Sequence, residues 1–213
     1  MKRKLIIIGG GGHCRSVIDV AECAGYEIVG ILDGFKPSGD SVLGYPIIGS
    51  DNDIPKYVNE AEFIVAVGHV KDVSAREYLH RLVLETGGRF ATIISPLAHV
   101  SKHARIGEGT VVMHRAIVNA NAQVGNGCII NTASNIEHDV VVGNLTHVST
   151  GAMINGGCVI GDRVMIGSGA VILQSVTIEH QCIIGAGAVV TAPIEERGIY
   201  AGVPARLIKN WGE

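Results

Sequence analysis

From Ile94 to Val190 every sixth residue is a branched aliphatic one, with no break in phase, running through Val100, Ile106 and Val112 to Ile178 and Ile184. Four residues after most of them comes a small side chain: Ala98, Ala104, Thr110, Ala116, Ala122, Cys128, Ser134, Thr146, Ala152, Cys158, Ala170, Cys182 and Ala188, with valine at 140, 164 and 176. A period of six matches neither the 3.6 of a helix nor the alternation of a strand. It fits a three-sided prism of short parallel strands, whose corners are turned by small residues or Gly. The aliphatic residue points inward and stacks on its counterparts, so one coil is three hexads, or eighteen residues. Composition agrees, with 29 glycines in 213 residues and only 4% aromatic side chains.

The first ninety residues follow another rule. Lys4–Ile8 reads as a buried strand, Gly9–Gly12 as a tight turn, and Ser16–Ala24 as a helix ended by Gly25. Tyr26–Leu32 is a second strand, followed by Asp33, Gly34 and a Pro/Gly loop. Glu62–Val67 is a third strand ending at Gly68-His69, Lys71–Thr86 a helix, and Arg89–Ile94 a fourth strand. Strands alternating with helices imply a parallel α/β sheet, whose ligands sit beyond the carboxyl ends of the strands. The boundaries are then 1–93 for an α/β domain, 94–190 for the solenoid and 191–213 for a tail.

Charge and cysteine content exclude several classes. A net charge of −3 gives no electrostatic case for nucleic acid or an anionic membrane. The apolar run Leu5–Ile8 is too short to span a bilayer or to form a signal h-region, so a cytoplasmic protein is expected. Cys128, Cys158 and Cys182 fall on the small inward position and read as buried hydrophobes. With Cys14 and Cys23 they form no CxxC pair, hence no thiolate zinc site or disulfide framework.

Three segments carry chemistry. Four glycines after a strand allow backbone N–H groups to meet a phosphate at a helix N-terminus. The third glycine of a dinucleotide fingerprint would fall on Cys14, so an anion site and a merely tight turn both remain open. His13 and Arg15 add donors, and Asp33 stands where an acid can meet a ribose hydroxyl. In Asn131-Thr-Ala-Ser-Asn-Ile-Glu137-His138-Asp139, inward Ile136 turns the next residues outward. A histidine between two carboxylates is a candidate general base. His147, nine residues later, lies half a coil away. His80, His99, His103, His114 and His180 read as surface residues. The third segment, Tyr200-Ala-Gly-Val-Pro-Ala-Arg206, places a cation near the end of the solenoid, with Pro204 fixing an extended backbone.

Units such as Ile106-Gly-Glu-Gly-Thr-Val111 resemble the hexapeptide repeats of left-handed β-helix acyltransferases. Together with the turn Gly9–His13, the run Asn131–Asp139, Thr146-His-Val-Ser149 and the Gly-Val-Pro-Ala-Arg ending, the chain resembles the sialic-acid O-acetyltransferase/PglD-like sugar acetyltransferases along nearly its whole length. The resemblance implies an acetyl-CoA-dependent enzyme that N-acetylates a UDP-linked 4-amino-4,6-dideoxy sugar. O-acetylation of sialic acid, N-acetylation of GDP-perosamine and a non-catalytic nucleotide-sugar-binding solenoid are the alternatives. It implies His138, Asp139, Asn131 and Glu137 as catalytic positions, with His138 the base and Asp139 orienting it. His147, Gly156, Ser168, Ala186 and Arg206 would bind acetyl-CoA, Gly156 by a backbone N–H to the acetyl oxygen. Gly11, Gly12, His13, Asp33, Gly34, Phe35, Gly68 and His69 would hold the nucleotide-sugar. Homotrimers are implied, with each site between two solenoids. The three-His zinc site of γ-class carbonic anhydrases, also hexapeptide solenoids, would need ligands where this chain has Lys102 and Gly143, so no metal is expected.

Overall fold

The structure, a computed structural model, describes residues 2–69 and 72–210. The chain divides into two compact units, Met1–Pro96 and Leu97–Glu213.

In the first unit β1 (Lys4–Ile8) leads to α1 (Gly12–Cys23) and β2 (Glu27–Leu32). Short β3 (Ser41–Val42) and β4 (Tyr45–Gly49) follow, then a 3₁₀ turn at Asp51–Lys56, β5 (Glu62–Val65) and α2 (Ser74–Glu85). The sheet order is β3-β4-β2-β1-β5, with β4, β2, β1 and β5 parallel. Leu5, Ile6, Ile7 and Ile8 are fully buried, as the apolar run requires.

Several expectations shift. The helix after the glycine turn begins at Gly12 rather than Ser16, because the last glycine already takes helical geometry. Arg89–Ile94 is no fourth strand of this sheet: Phe90 makes only an isolated bridge to Phe63, and the fourth long strand is β4, inside the segment read as a loop. His80 is buried rather than on the surface, since its ring packs on Phe90 at 4.5 Å. Lys71, expected in the second helix, and the polar end 211–213 lie outside the described residues.

The second unit is the prism. Its first face stacks His99–Val100, Ile117–Val118, Asn135–Ile136, Met153–Ile154, Val171–Ile172 and Val189–Val190. The second stacks Arg105–Ile106, Gln123–Val124, Val141–Val142, Val159–Ile160 and Thr177–Ile178. The third runs through Val111–Val112, Ile129–Ile130, His147–Val148, Met165–Ile166 and Ile183–Ile184. Below the top coil, each strand residue pairs in parallel with the residue eighteen positions on, as Ile136 does with Ile154. The hexad aliphatics from Val112 to Val190 form one buried column with the small residues. Each contributes on the order of 1.5–3 kcal/mol of burial. Ile94, first of the hexad series, is 37% exposed, so the inward column starts later than the sequence pattern.

The corners repeat too. Arg115, Asn121, Ala133, Asp139, Leu145, Arg163, Ser175 and Gln181 all have φ near +60°, as do Gly109, Gly127, Gly151 and Gly157 at the same phase. Beyond Val190 the regular coil gives way to a shorter one that still covers the stack. Ile194 bridges Ile178, Gly198–Ala201 pairs with Ile183–Ile184, and Val189 bonds Gly202 and Ala205. Pro204 lies in the turn between Gly198–Ala201 and antiparallel Arg206–Asn210, not in an extended segment as expected, because those two strands form a hairpin. Among the described residues no helix is long and apolar enough to cross a membrane.

Candidate active site

The corner between the first and second faces carries the strongest candidate base. Asp139 takes a left-handed backbone (φ +61°), which turns its side chain back on its neighbour. His138 Nδ1 lies 2.8 Å from Asp139 Oδ2. An ionised carboxylate only accepts, so Nδ1 carries the hydrogen and Nε2 is the basic nitrogen. Both side chains are exposed, at 66% and 56%. One coil above lies Gly156. A Cβ there would stand 2.7 Å from His138 Nε2 and Cε1, so only glycine admits the ring in this pose.

One coil below, Asn121 Nδ2 donates to Asp139 Oδ1 at 2.7 Å. That bond first, and His138 second, hold the Asp139 carboxyl below the usual carboxylate range. Glu137 points to different partners: Asn119 Nδ2 and Asn135 Nδ2 donate to its two oxygens at 2.9 Å each. Asn119, Asn121 and Asn135 escaped the sequence reading. Subtracting one coil from 137 and 139 would have found the first two.

The other expected solenoid residues gather elsewhere. Asn131, Ser168 and Ala186 lie on the corner between the third and first faces, and His147 on the third face. Asn131 Nδ2 is 3.1 Å from His147 Nε2, and Ser149 Oγ is 3.0 Å from Ser168 Oγ. His147 is buried while Ser168 and Ala186 are exposed. Within one chain, then, the His138 corner and the Asn131–Ser168–Ala186 corner are opposite edges of the first face. Arg206 is exposed on the closing hairpin, where its Nη1 donates to Ala205 O.

In the first unit, the three expected segments follow β1, β2 and β5, and β1 sits between the other two. All three therefore emerge at one end of the sheet, the end where ligands of parallel sheets bind. Gly9 has φ +98°, and a Cβ there would meet Val67 Cγ2 at 2.5 Å. Gly10 would press on Asp33 and Lys36 at 3.0 Å. A Cβ on Gly11 or Gly12 would meet nothing within 4 Å, so neither is required by the fold's own packing. Cys14, where the fingerprint has its third glycine, is fully buried in α1. Gly68 backs onto the His13 side chain, and His69 is buried.

Asp33 behaves otherwise than a bare ribose acceptor. Its Oδ2 accepts the Gly10 N–H at 2.5 Å, and its Oδ1 accepts those of Phe35 and Lys36 at 2.8 and 2.9 Å. Burial alone would raise its pKa, but these bonds and the Lys36 charge bring it below the ordinary value. Asp33 thus ties the glycine turn to the loop after β2. That loop presents Phe35, whose ring is 100% exposed.

Comparison with known proteins matches the PglD N-terminal domain over residues 4–79 and the bacterial transferase hexapeptide repeat over residues 157–192. The acetyltransferase domain of PglB from Neisseria gonorrhoeae superposes with a TM-score of 0.90 at 34% identity, covering 97% of this chain and 100% of that one. The chain belongs to the PglD-like family of sugar acetyltransferases. Another member, perosamine N-acetyltransferase from Caulobacter crescentus, is 32% identical with a TM-score of 0.91, and 97% of each chain is covered. Family membership makes the fold an α/β domain followed by a left-handed β-helix, and the protein a sugar acetyltransferase. A curated relative from Acanthamoeba polyphaga mimivirus, itself uncharacterised, is 38% identical over 106 residues; the match covers half of this chain but only 20% of that protein.

Proposed function

We propose that this protein transfers the acetyl group of acetyl-CoA to the 4-amino group of a nucleotide-linked amino-dideoxy sugar, with His138 as general base. The observation that carries the reading is the His138 ring, held by Asp139 through Nδ1 and laid against Gly156, with Nε2 as its basic atom. Two relatives support the substrates: the PglB domain was solved with acetyl coenzyme A, and perosamine N-acetyltransferase with CoA and GDP-perosamine.

The chemistry follows from the geometry. His138 Nε2 takes a proton as the sugar amine attacks the thioester carbon and the new N–C bond forms. The C–S bond then breaks, and the thiolate leaves as the CoA thiol with that proton. The backbone N–H of Gly156, on the adjacent coil, serves the oxyanion. The ionised Asp139 stabilises the imidazolium in between. In the first unit, Gly11 and Gly12 open the N-terminus of α1 to a diphosphate, and Phe35 offers its ring to the base.

The site is completed by a second subunit in this reading. The first face lies between the two half-sites and carries exposed Ile117 and Met153, 38% and 44% exposed. Packing it in a homotrimer sets the His138 corner of one chain against the acetyl-CoA edge of the next.

The test is thiol release from acetyl-CoA against UDP-4-amino-4,6-dideoxy-N-acetylhexosamines, GDP-perosamine, and free and CMP-linked sialic acid. Turnover with an amino sugar is expected, and His138→Ala should lower kcat/KM by about 10²–10⁴-fold. Turnover with sialic acid alone would move the protein to O-acetylation, and near-full rate in the variant would remove His138 from its role.

A further inference from the structure

Asn121 stands one coil below Asp139, at the same corner and in the same left-handed backbone, with φ +62° and +61°. The coils are locked in register on both sides of that corner, by Ile117–Val118 with Asn135–Ile136 and by Gln123–Val124 with Val141–Val142. The Asp139 N–H also bonds Ala120 O at 3.2 Å. The Asn121 amide therefore meets Asp139 Oδ1 at 2.7 Å while His138 takes Oδ2 at 2.8 Å. With both oxygens held, the plane of the carboxylate is fixed, and with it the imidazole.

We propose that Asn121 is a positioning residue of the acetyl-transfer site: its side-chain amide orients Asp139, which orients His138. The proposal rests on the reading of His138 as the base. A simpler explanation is that a left-handed corner favours Asn. Yet the equivalent corners hold Arg115, Ala133, Leu145, Arg163, Ser175 and Gln181, so this backbone does not select the amide.

Glycine satisfies the backbone and removes the amide, so Asn121→Gly separates the two explanations. The expected result is a kcat lower by about 10- to 100-fold, the scale of a misplaced catalytic group, with both KM values held within about twofold. In an Asp139→Ala background the same substitution should add nothing, because the two residues act as one unit. Full kcat in Asn121→Gly, or an undiminished loss in the Asp139→Ala background, overturns the proposal. A readout independent of turnover is the Asp139 carboxyl titration followed by ¹³C NMR, which should move upward in Asn121→Gly. An unmoved titration overturns the contact itself. A wild-type protein inactive on the whole sugar panel sinks the acetyltransferase reading instead, and the titration still decides the contact.

Discussion

The His138 pose depends on what is missing from its neighbour. Gly156 leaves the space in which the imidazole lies, and a methyl group there would overlap the ring at 2.7 Å. The ring is exposed and hinged at χ1, so it would swing outward rather than break the coil. Gly156→Ala is therefore expected to keep its thermal midpoint within a few degrees while losing about 10²-fold in kcat. A calorimetric scan beside a kinetic run checks both halves; retained kcat would mean that the ring reacts from another pose. The sequence made His138 and Asp139 legible because outward residues follow inward Ile136 by simple count. It hid the amides of Asn119 and Asn121, because contacts across coils join residues eighteen apart that no local motif links. It also gave no sign that Asp33, expected to meet a ribose hydroxyl, holds three of the fold's own N–H groups. Such a role depends on the loop after β2 doubling back, which composition does not reveal.

Among the elements, α2 carries a cost that pH can expose. His80 is buried against Phe90, and its Nε2 has no hydrogen-bond partner among the described residues. Burial first, and the nearby Arg76 charge second, push its pKa from 6.5 down to about 3. Above pH 6.5 the histidine is neutral folded or unfolded and costs nothing further. As pH falls from 6.5 towards 3, the unfolded chain takes up a proton that the folded one refuses. Stability is then lost at up to about 1.4 kcal/mol per pH unit. His80→Phe keeps the ring contact and removes the titration. Urea midpoints measured at pH 7 and pH 4.5 should fall less for this variant than for the wild type, and equal falls would clear His80. The strands of the prism were easy to foresee because one aliphatic position in six sets their register. β4 was not, since Tyr45–Gly49 is short, opens Tyr-Pro and follows a Gly turn, all of which read locally as loop.

For the whole molecule, the proposed function makes assembly a condition of activity, because the His138 corner and the Asn131–Ser168–Ala186 corner lie on opposite edges of one face. Met153→Glu puts a charge at the centre of the exposed first face between them. The variant should sediment as a monomer and lose acetyl transfer, while still binding the nucleotide-sugar through its first unit. A fully active monomer would show that one chain suffices. The same architecture explains the irregular end of the stack. Residues 194–205 bond to Ile178, Ile183–Ile184 and Val189, so each of the three topmost strands has a lid. Without those residues, three edges in parallel register would lie open at one end of a rod whose repeat is the same all the way down. An open edge of that kind is a template for pairing with another chain. The shortened last coil closes the edge that a strictly periodic chain would leave bare.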